Sequence, residues 1–362
     1  MKNNMEKITA LVLAVMMSLT LIVGCGQTTT PPVEQPNEKQ LIERTVTDMA
    51  GRTVTVPAEI NSVATFVSVP IINGLVGLMG YSDKLVNELT QSMVKAGKHQ
   101  FQYEVSPQIK GAPFVTTPDG ELITEEILRL NPDICVVLSK DIIEPLEKLG
   151  MTVVYYEWQN VDDIKEAVTL MGEVFGVPEV ASDYLAYFDS TVEKARELTK
   201  DLKEEDKKTV LYGNATELWQ PHLIAEWWIA EAGGISVTDN GRTTGTRFEY
   251  TLEELLLWDP DFMIPTGKKV IDEIKADSVL AQINAVKNDQ FFVMPYVAHV
   301  WGNRTVEIPL TILLTTHKLY PELYSRDELA KEIRDFYSRF FKYEMTDKQI
   351  DAIIDGDVFP AK

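Results

Sequence analysis

The chain has 362 residues, a formal net charge of −21 and a 45% hydrophobic share. Such acidity excludes nucleic acid as a partner, because phosphates need a basic face. The hydrophobic share and length suit a globular protein of two ordinary domains.

Residues 1–24 carry Lys2 and Lys7, then the apolar run ITALVLAVMMSLTLIVG, and lead directly to Cys25. A basic start, an apolar stretch of this length and a small residue before cysteine read as a secretory signal peptide. The stretch LIVGC resembles a bacterial lipobox, which implies cleavage before Cys25 and a lipid on its sulfur. The alternative is an uncleaved anchor, for which about 20 apolar residues are needed. Removing residues 1–24 takes away two lysines and one glutamate, so the net charge becomes −22. GQTTTPPVEQPNEKQ then reads as a flexible tether over residues 25–40. Only Cys135 remains, inside the apolar stretch ICVVL, and is expected to be an inert core residue.

From residue 45, TVTDMAGRTVTVP pairs two alternating runs around a DMAG turn, the pattern of a β-hairpin. SVATFV reads as a strand and IINGLVGLMG as an apolar helix. Next comes ITEEILRLNPDI at residues 123–134, which returns as TLEELLLWDPDF at residues 251–262, 128 residues later. Each copy reads as a short helix with two glutamates in its first turn, a stop at the residue before proline, and a strand. EPLEKLG, MTVVYY and VDDIKEAVTLMGEVFG add helix, strand and helix, an alternation that builds right-handed βαβ units on parallel sheets. Residues 177–208 carry no internal glycine or second proline and keep helical spacing, predicting a strut of about seven turns, roughly 40 Å long. TVLYGN then opens the second lobe.

The lipobox, tether, hairpin, doubled helix–Pro–Asp–strand unit and long connecting helix together resemble the helical-backbone substrate-binding lipoproteins of ABC importers for iron siderophores, haem and cobalamin. The resemblance covers essentially the whole mature chain. It implies an α/β fold of two lobes, each a mainly parallel sheet flanked by helices, joined by one backbone helix. The expected boundaries are signal peptide 1–24, tether 25–40, first lobe 41–177, connecting helix 178–206 and second lobe 207–362. The resemblance also implies a monomer held to the membrane by its lipid, a dimeric permease as partner, and Glu125 and Glu253 as carboxylates that dock on permease arginines. On the residues alone, both glutamates are equally readable as carboxylates complementing a helix dipole.

A ligand between two such lobes lies where loops leave the carboxyl ends of parallel strands. Chemically distinctive residues on those stretches are His99, Phe101, Trp219, His222, Tyr296, His299 and Trp301. Imidazoles ligate metal or bond a chelate, and flat aromatics suit a macrocycle. Arg242 and Arg247 flank a glycine-rich turn and suit the anionic oxygens of a siderophore or haem propionate. Arg304 is expected either to do likewise or to pair with Glu307. His317 reads as structural, and no HxxxH or CxxC spacing specifies a metal site. The transported ligand is expected to be an iron siderophore, haem, corrinoid or related metal chelate, with no resident cofactor. The rival class is an extracytoplasmic metal-dependent hydrolase, for which no GxSxG, HExxH or phosphate-loop motif is present.

Overall fold

The structure, a computed structural model, describes residues 43–67, 69–221, 223–242 and 247–362. The signal peptide, Cys25, the tether and His222 lie outside the described residues. From residue 42 onward the chain forms one compact unit.

The hairpin comes first: β1 (Arg44–Thr47) pairs antiparallel with β2 (Thr53–Val56), and Gly51 takes the left-handed conformation its turn requires. The first α/β half follows with β3 (Val63–Thr65), α1 (Val69–Leu78), α2 (Gln91–Ala96), α3 (Gln100–Val105), α4 (Thr124–Leu130), β4 (Ile134–Val137), α5 (Ile143–Lys148), β5 (Val153–Tyr155) and α6 (Val161–Phe175). Then comes the connecting helix α7 (Pro178–Thr199). The second half contains β6 (Thr209–Tyr212), β7 (Trp219–Gln220), α8 (Ile224–Glu231), β8 (Ile235–Ser236), β9 (Phe248–Glu249), α9 (Leu252–Trp258), β10 (Phe262–Ile264), α10 (Lys268–Ala276) and α11 (Asn284–Lys287). It closes with α12 (Ile308–Leu319), α13 (Arg326–Phe341) and α14 (Asp347–Ile354).

Two three-stranded parallel sheets result, ordered β3-β4-β5 and β10-β6-β8, with β7 and β9 forming a small antiparallel ribbon. The doubled sequence explains the likeness of the halves at atomic level. Helices α4 and α9 both end on a left-handed residue, Asn131 at φ 42° and Asp259 at φ 40°, a conformation that Asn and Asp tolerate better than other side chains. The aspartate after each proline then staples the neighbouring strand. Asp133 accepts from the backbone of Asn61 and Ser62 at 2.7 and 2.9 Å ahead of β3, and Asp261 accepts from Thr209 at 3.0 Å in β6. Helix and sheet are thus joined through the same three positions twice, Asn-Pro-Asp in one half and Asp-Pro-Asp in the other. Cys135 is fully buried in β4, and burial pushes its thiol up to about 12, as an inert core residue requires.

The connecting helix is shorter than its sequence pattern suggests. It stops at Thr199 after 22 residues, about 33 Å. Beyond it Leu202 folds back onto the core, and Glu204–Asp206 form a separate turn. Four carboxylates between residues 201 and 206 at a helix carboxyl end would oppose the helix dipole, which disfavours continuation.

One apolar cluster runs through both halves, including Ile72, Val136 and Tyr156 from the first and Val210, Trp228 and Ile264 from the second. The penultimate helix α13 packs on α1 of the first half. Smaller clusters fill the outer side of each sheet. Among the described residues no helix is long and apolar enough to cross a membrane.

Candidate ligand-binding site

The crossing from one half to the other is built around the turn 295–301. Tyr296 and Val300 bridge across it, and Trp301 donates its backbone N–H to Pro295 at 3.1 Å. A fully buried carboxylate, Glu307, pins the turn from behind. It accepts from the backbone N–H of Ala298 and His299, each at 3.0 Å, from the Thr305 hydroxyl at 3.1 Å, and from the Tyr337 hydroxyl. Burial raises the Glu307 pKa, and the donors around it work against that rise. From the first half, Gln102 on α3 donates to Ala298 at 2.6 Å and Pro70 at 3.1 Å. These bonds bring His99 against the turn.

His99 and His299 stack in parallel with ring centroids 6.2 Å apart, and Tyr296 stands edge-on to His99 at 6.0 Å. Lys98 lies over the Tyr296 ring at 4.6 Å. Asn303 approaches the His299 Nε2 at 3.3 Å. Burial, with Lys98 adding to it, lowers the His99 pKa to about 4, so the ring is neutral at physiological pH. Its Nδ1 is buried without a hydrogen-bond partner. Such an atom costs about 1–3 kcal/mol. Val67, at the carboxyl end of β3, holds φ 68°, a conformation that strains a β-branched side chain.

Beside this cluster lies a cavity of about 260 Å³, lined by Lys98 and Tyr296, by Thr266 and Gly267 at the carboxyl end of β10, and by Lys268 and Lys269. The last two open α10, whose N-cap Gly267 offers no side-chain cap and whose first turn holds no acid. Three lysines therefore line one pocket of a strongly acidic protein, beside apolar walls from Val293, Met294, Val358 and Phe359, a local field suited to an anion. Asp357 pairs with Lys268 at its rim. A larger groove of about 600 Å³ follows α7 beside Phe188, Val192 and Trp227. Its two lining cations are paired internally, Lys165 with Asp189 and Arg196 with Glu231, both at 2.5 Å.

Several residues singled out in the sequence occupy other positions. Phe101 is fully buried, edge-to-face with Tyr337, Phe341, Tyr343 and Phe359 at 5.1–5.8 Å, because α13 and the chain end fold back over α3. Trp301 is also fully buried, its indole directed at Glu307. Arg242 forms an ion pair with Glu226 and lies over Phe248 at 4.0 Å, so its guanidinium is engaged within the second half. Arg304 does not pair with Glu307. It donates to the Trp158 carbonyl at 2.6 Å and Gln159 at 2.9 Å, while the Trp158 indole donates back to the Arg304 carbonyl at 3.0 Å. Arg247 bonds Glu249 at 3.1 Å and stacks on Trp219 at 4.6 Å, a platform on the β7–β9 ribbon. Trp228 is core and Trp227 half-buried, as two adjacent helical residues require, and His317 Nδ1 donates to the Tyr324 carbonyl, 2.8 Å away. Among the described residues no group of three or more His, Cys, Asp or Glu is arranged to hold a metal.

Residues missed in the sequence are Lys98, Lys268, Lys269, Gln102 and Glu307. The pair Lys268–Lys269 directly after the FMIP strand was a readable signal; the convergence of Lys98 on it requires the fold.

Two similar parallel-sheet halves joined by one long helix and a shared apolar core have the architecture of a two-lobed solute-binding protein. The chain belongs to the periplasmic binding protein family, whose model matches residues 80–298. These are binding proteins rather than enzymes, and the family places the chain outside the cytoplasmic membrane. The molybdate-binding protein MolA of Haemophilus influenzae is 23% identical over 324 residues, covering 83% of this chain and 92% of MolA. The iron(3+)-hydroxamate-binding protein YxeB of Bacillus subtilis is 20% identical over 191 residues, 47% of this chain and 57% of YxeB. Among solved structures, a periplasmic solute-binding protein from Veillonella parvula matches with a TM-score of 0.74 at 22% identity, covering 86% of this chain and 97% of that one.

Proposed function

We propose that this protein is a lipid-anchored receptor that delivers a metal-bearing anion to the permease of an ABC importer. The observation that carries the reading is the cavity where Lys98, Lys268, Lys269 and the start of α10 converge beside the neutral His99. Its volume of about 260 Å³ falls below the roughly 300–1,000 Å³ usual for drug-sized ligands. That favours a compact oxyanion of the molybdate kind, the solute for which MolA is named. In this role the lysines and helix N–H groups hold the oxygens, and His99 supplies a directional bond.

A bulkier iron chelate is the second reading, the ligand kind for which YxeB is named. It draws on the half-exposed Trp219 with Arg247 stacked on it, a flat cationic platform beyond the cavity. Titration of purified protein with molybdate, sulfate, a ferric hydroxamate and haem, followed by tryptophan fluorescence and calorimetry, separates the two. Molybdate binding that weakens at least tenfold in Lys98→Ala supports the first reading. Tight binding of ferric hydroxamate alone supports the second, and no binding of any of the four refutes both.

Within the same proposal, residues 1–24 are removed, Cys25 carries the lipid and residues 25–40 form the tether. The lobes meet the importer through Glu125 and Glu253. Both are exposed and without an ion pair, whereas their neighbours are occupied: Glu126 with Arg129, and Glu254 in a capping box with Thr251.

A further inference from the structure

We infer that the importer is gripped through apolar contacts as well as charge: Leu128, Leu256 and Leu257 form a leucine patch beside the two docking glutamates. This rests on the docking role proposed for Glu125 and Glu253.

The argument begins with register. The repeat offset of 128 residues places Leu128 and Leu256 at one equivalent position, and Ile127 and Leu255 at the next. Ile127 and Leu255 are fully buried and account for the apolar face that each helix needs for folding. Leu128 and Leu256 are 49% and 38% exposed on the outer side, and Leu257 is 84% exposed. Folding gains less from them than from Ile127 and Leu255, yet a large apolar side chain stands at the same outward position twice. Leu128 and Leu256 each sit three residues after a docking glutamate, and Leu257 four after, the spacings that make neighbours on a helix surface.

The orientation is shared too. Each helix feeds the parallel strand that follows it and runs antiparallel to that strand, so its first turn lies toward the carboxyl edge of its sheet. Both patches therefore sit near the edge from which the ligand loops emerge. Two unpaired carboxylates call for two cationic groups, and a repeated patch calls for a partner that presents the same surface twice. A two-subunit permease has that chemistry; the fitting surface is an arginine or lysine beside an apolar hollow in each subunit. The halves differ at one position: Arg129, held by Glu126 at 2.5 Å, stands where the other half has Leu257. The second half is thus the more apolar of the two grips.

Site-specific photocrosslinking on the full chain in its own cells tests this. A benzophenone amino acid is placed at Leu128, at Leu257, at Glu125 and at Val279, an exposed apolar control on another segment. Crosslinks from Leu128 and Leu257 to the membrane-spanning importer subunit, identified by mass spectrometry and at least fivefold above Val279, are expected. The Leu257 crosslink should fall at least fivefold when Glu253→Arg is added. Crosslinking from Glu125 but from neither leucine overturns the patch while leaving the docking reading intact. No permease crosslink from any position overturns the docking reading as well. Crosslinks to a second copy of this chain overturn the patch in favour of self-association.

Discussion

Replacing Glu307 by Gln tests how the turn that carries His299 is held. The carboxylate accepts four hydrogen bonds, two on each oxygen: Ala298 N–H and Tyr337 O–H on Oε1, His299 N–H and Thr305 O–H on Oε2. A carboxamide of nearly equal volume leaves no cavity but turns an NH₂ toward two of those donors. The hydroxyl of that pair turns to accept from the NH₂, so one buried backbone N–H loses its acceptor and unfolding free energy should drop by about 1–3 kcal/mol. Released from its clamp, His299 no longer faces His99 at a fixed spacing, and molybdate affinity should fall at least tenfold, about 1.4 kcal/mol. Urea unfolding with linear extrapolation gives the first quantity and calorimetric titration the second. Tyr337→Phe is the control. It removes one donor and leaves both backbone bonds in place, so it should cost stability while keeping affinity within twofold. A Glu307→Gln protein with wild-type unfolding and binding would refute the clamp.

Because His99 is neutral down to about pH 4 when folded but takes up a proton near pH 6.5 when unfolded, the unfolded chain binds more protons between those values. Stability should therefore fall as pH drops from 6.5 to 4, by about 3 kcal/mol in all, and a His99→Gln variant should lose that part of the slope when both are unfolded in urea across this range. Neutralising Lys268 and Lys269 together should weaken anion binding and flatten its dependence on salt, measured by titration at two ionic strengths. Arg242→Ala strands the Glu226 carboxylate, which is already pushed up by burial; a melting temperature several degrees lower, with unaltered ligand affinity, is the expected result. Cys25→Ala should leave the protein unprocessed or released from membranes on fractionation, with affinity intact.

Architecture was legible because it is written in local patterns. Alternating valines gave the hairpin, apolar runs bounded by Asn-Pro-Asp and Asp-Pro-Asp gave the parallel strands, and Pro178 marked the start of the connecting helix. Its end was misjudged because Ala195, Leu198 and Leu202 continue a helical spacing that Leu202 uses to fold back instead. The site was less legible, for a physical reason. Residue type alone does not say which face of a loop a side chain takes. Phe101 and Trp301 lie within two residues of His99 and His299, but they point into the aromatic cage and toward Glu307. Arg242 had the right charge, but its guanidinium is taken by Glu226, 16 residues away. Lys98 and Lys268 are 170 positions apart and meet only because the chain end returns across the first half.

A single apolar cluster passing through both halves, with α7 lying along it and Trp158 and Arg304 exchanging hydrogen bonds across it, has a mechanical consequence. Wide separation of the halves would strip water-excluded surface from that shared interior at roughly 25 cal/mol for each Å², so the distance between the two repeat helices is fixed when the chain folds. In the docking role proposed for Glu125 and Glu253, the molecule would work as a ruler, its span set before any cargo arrives.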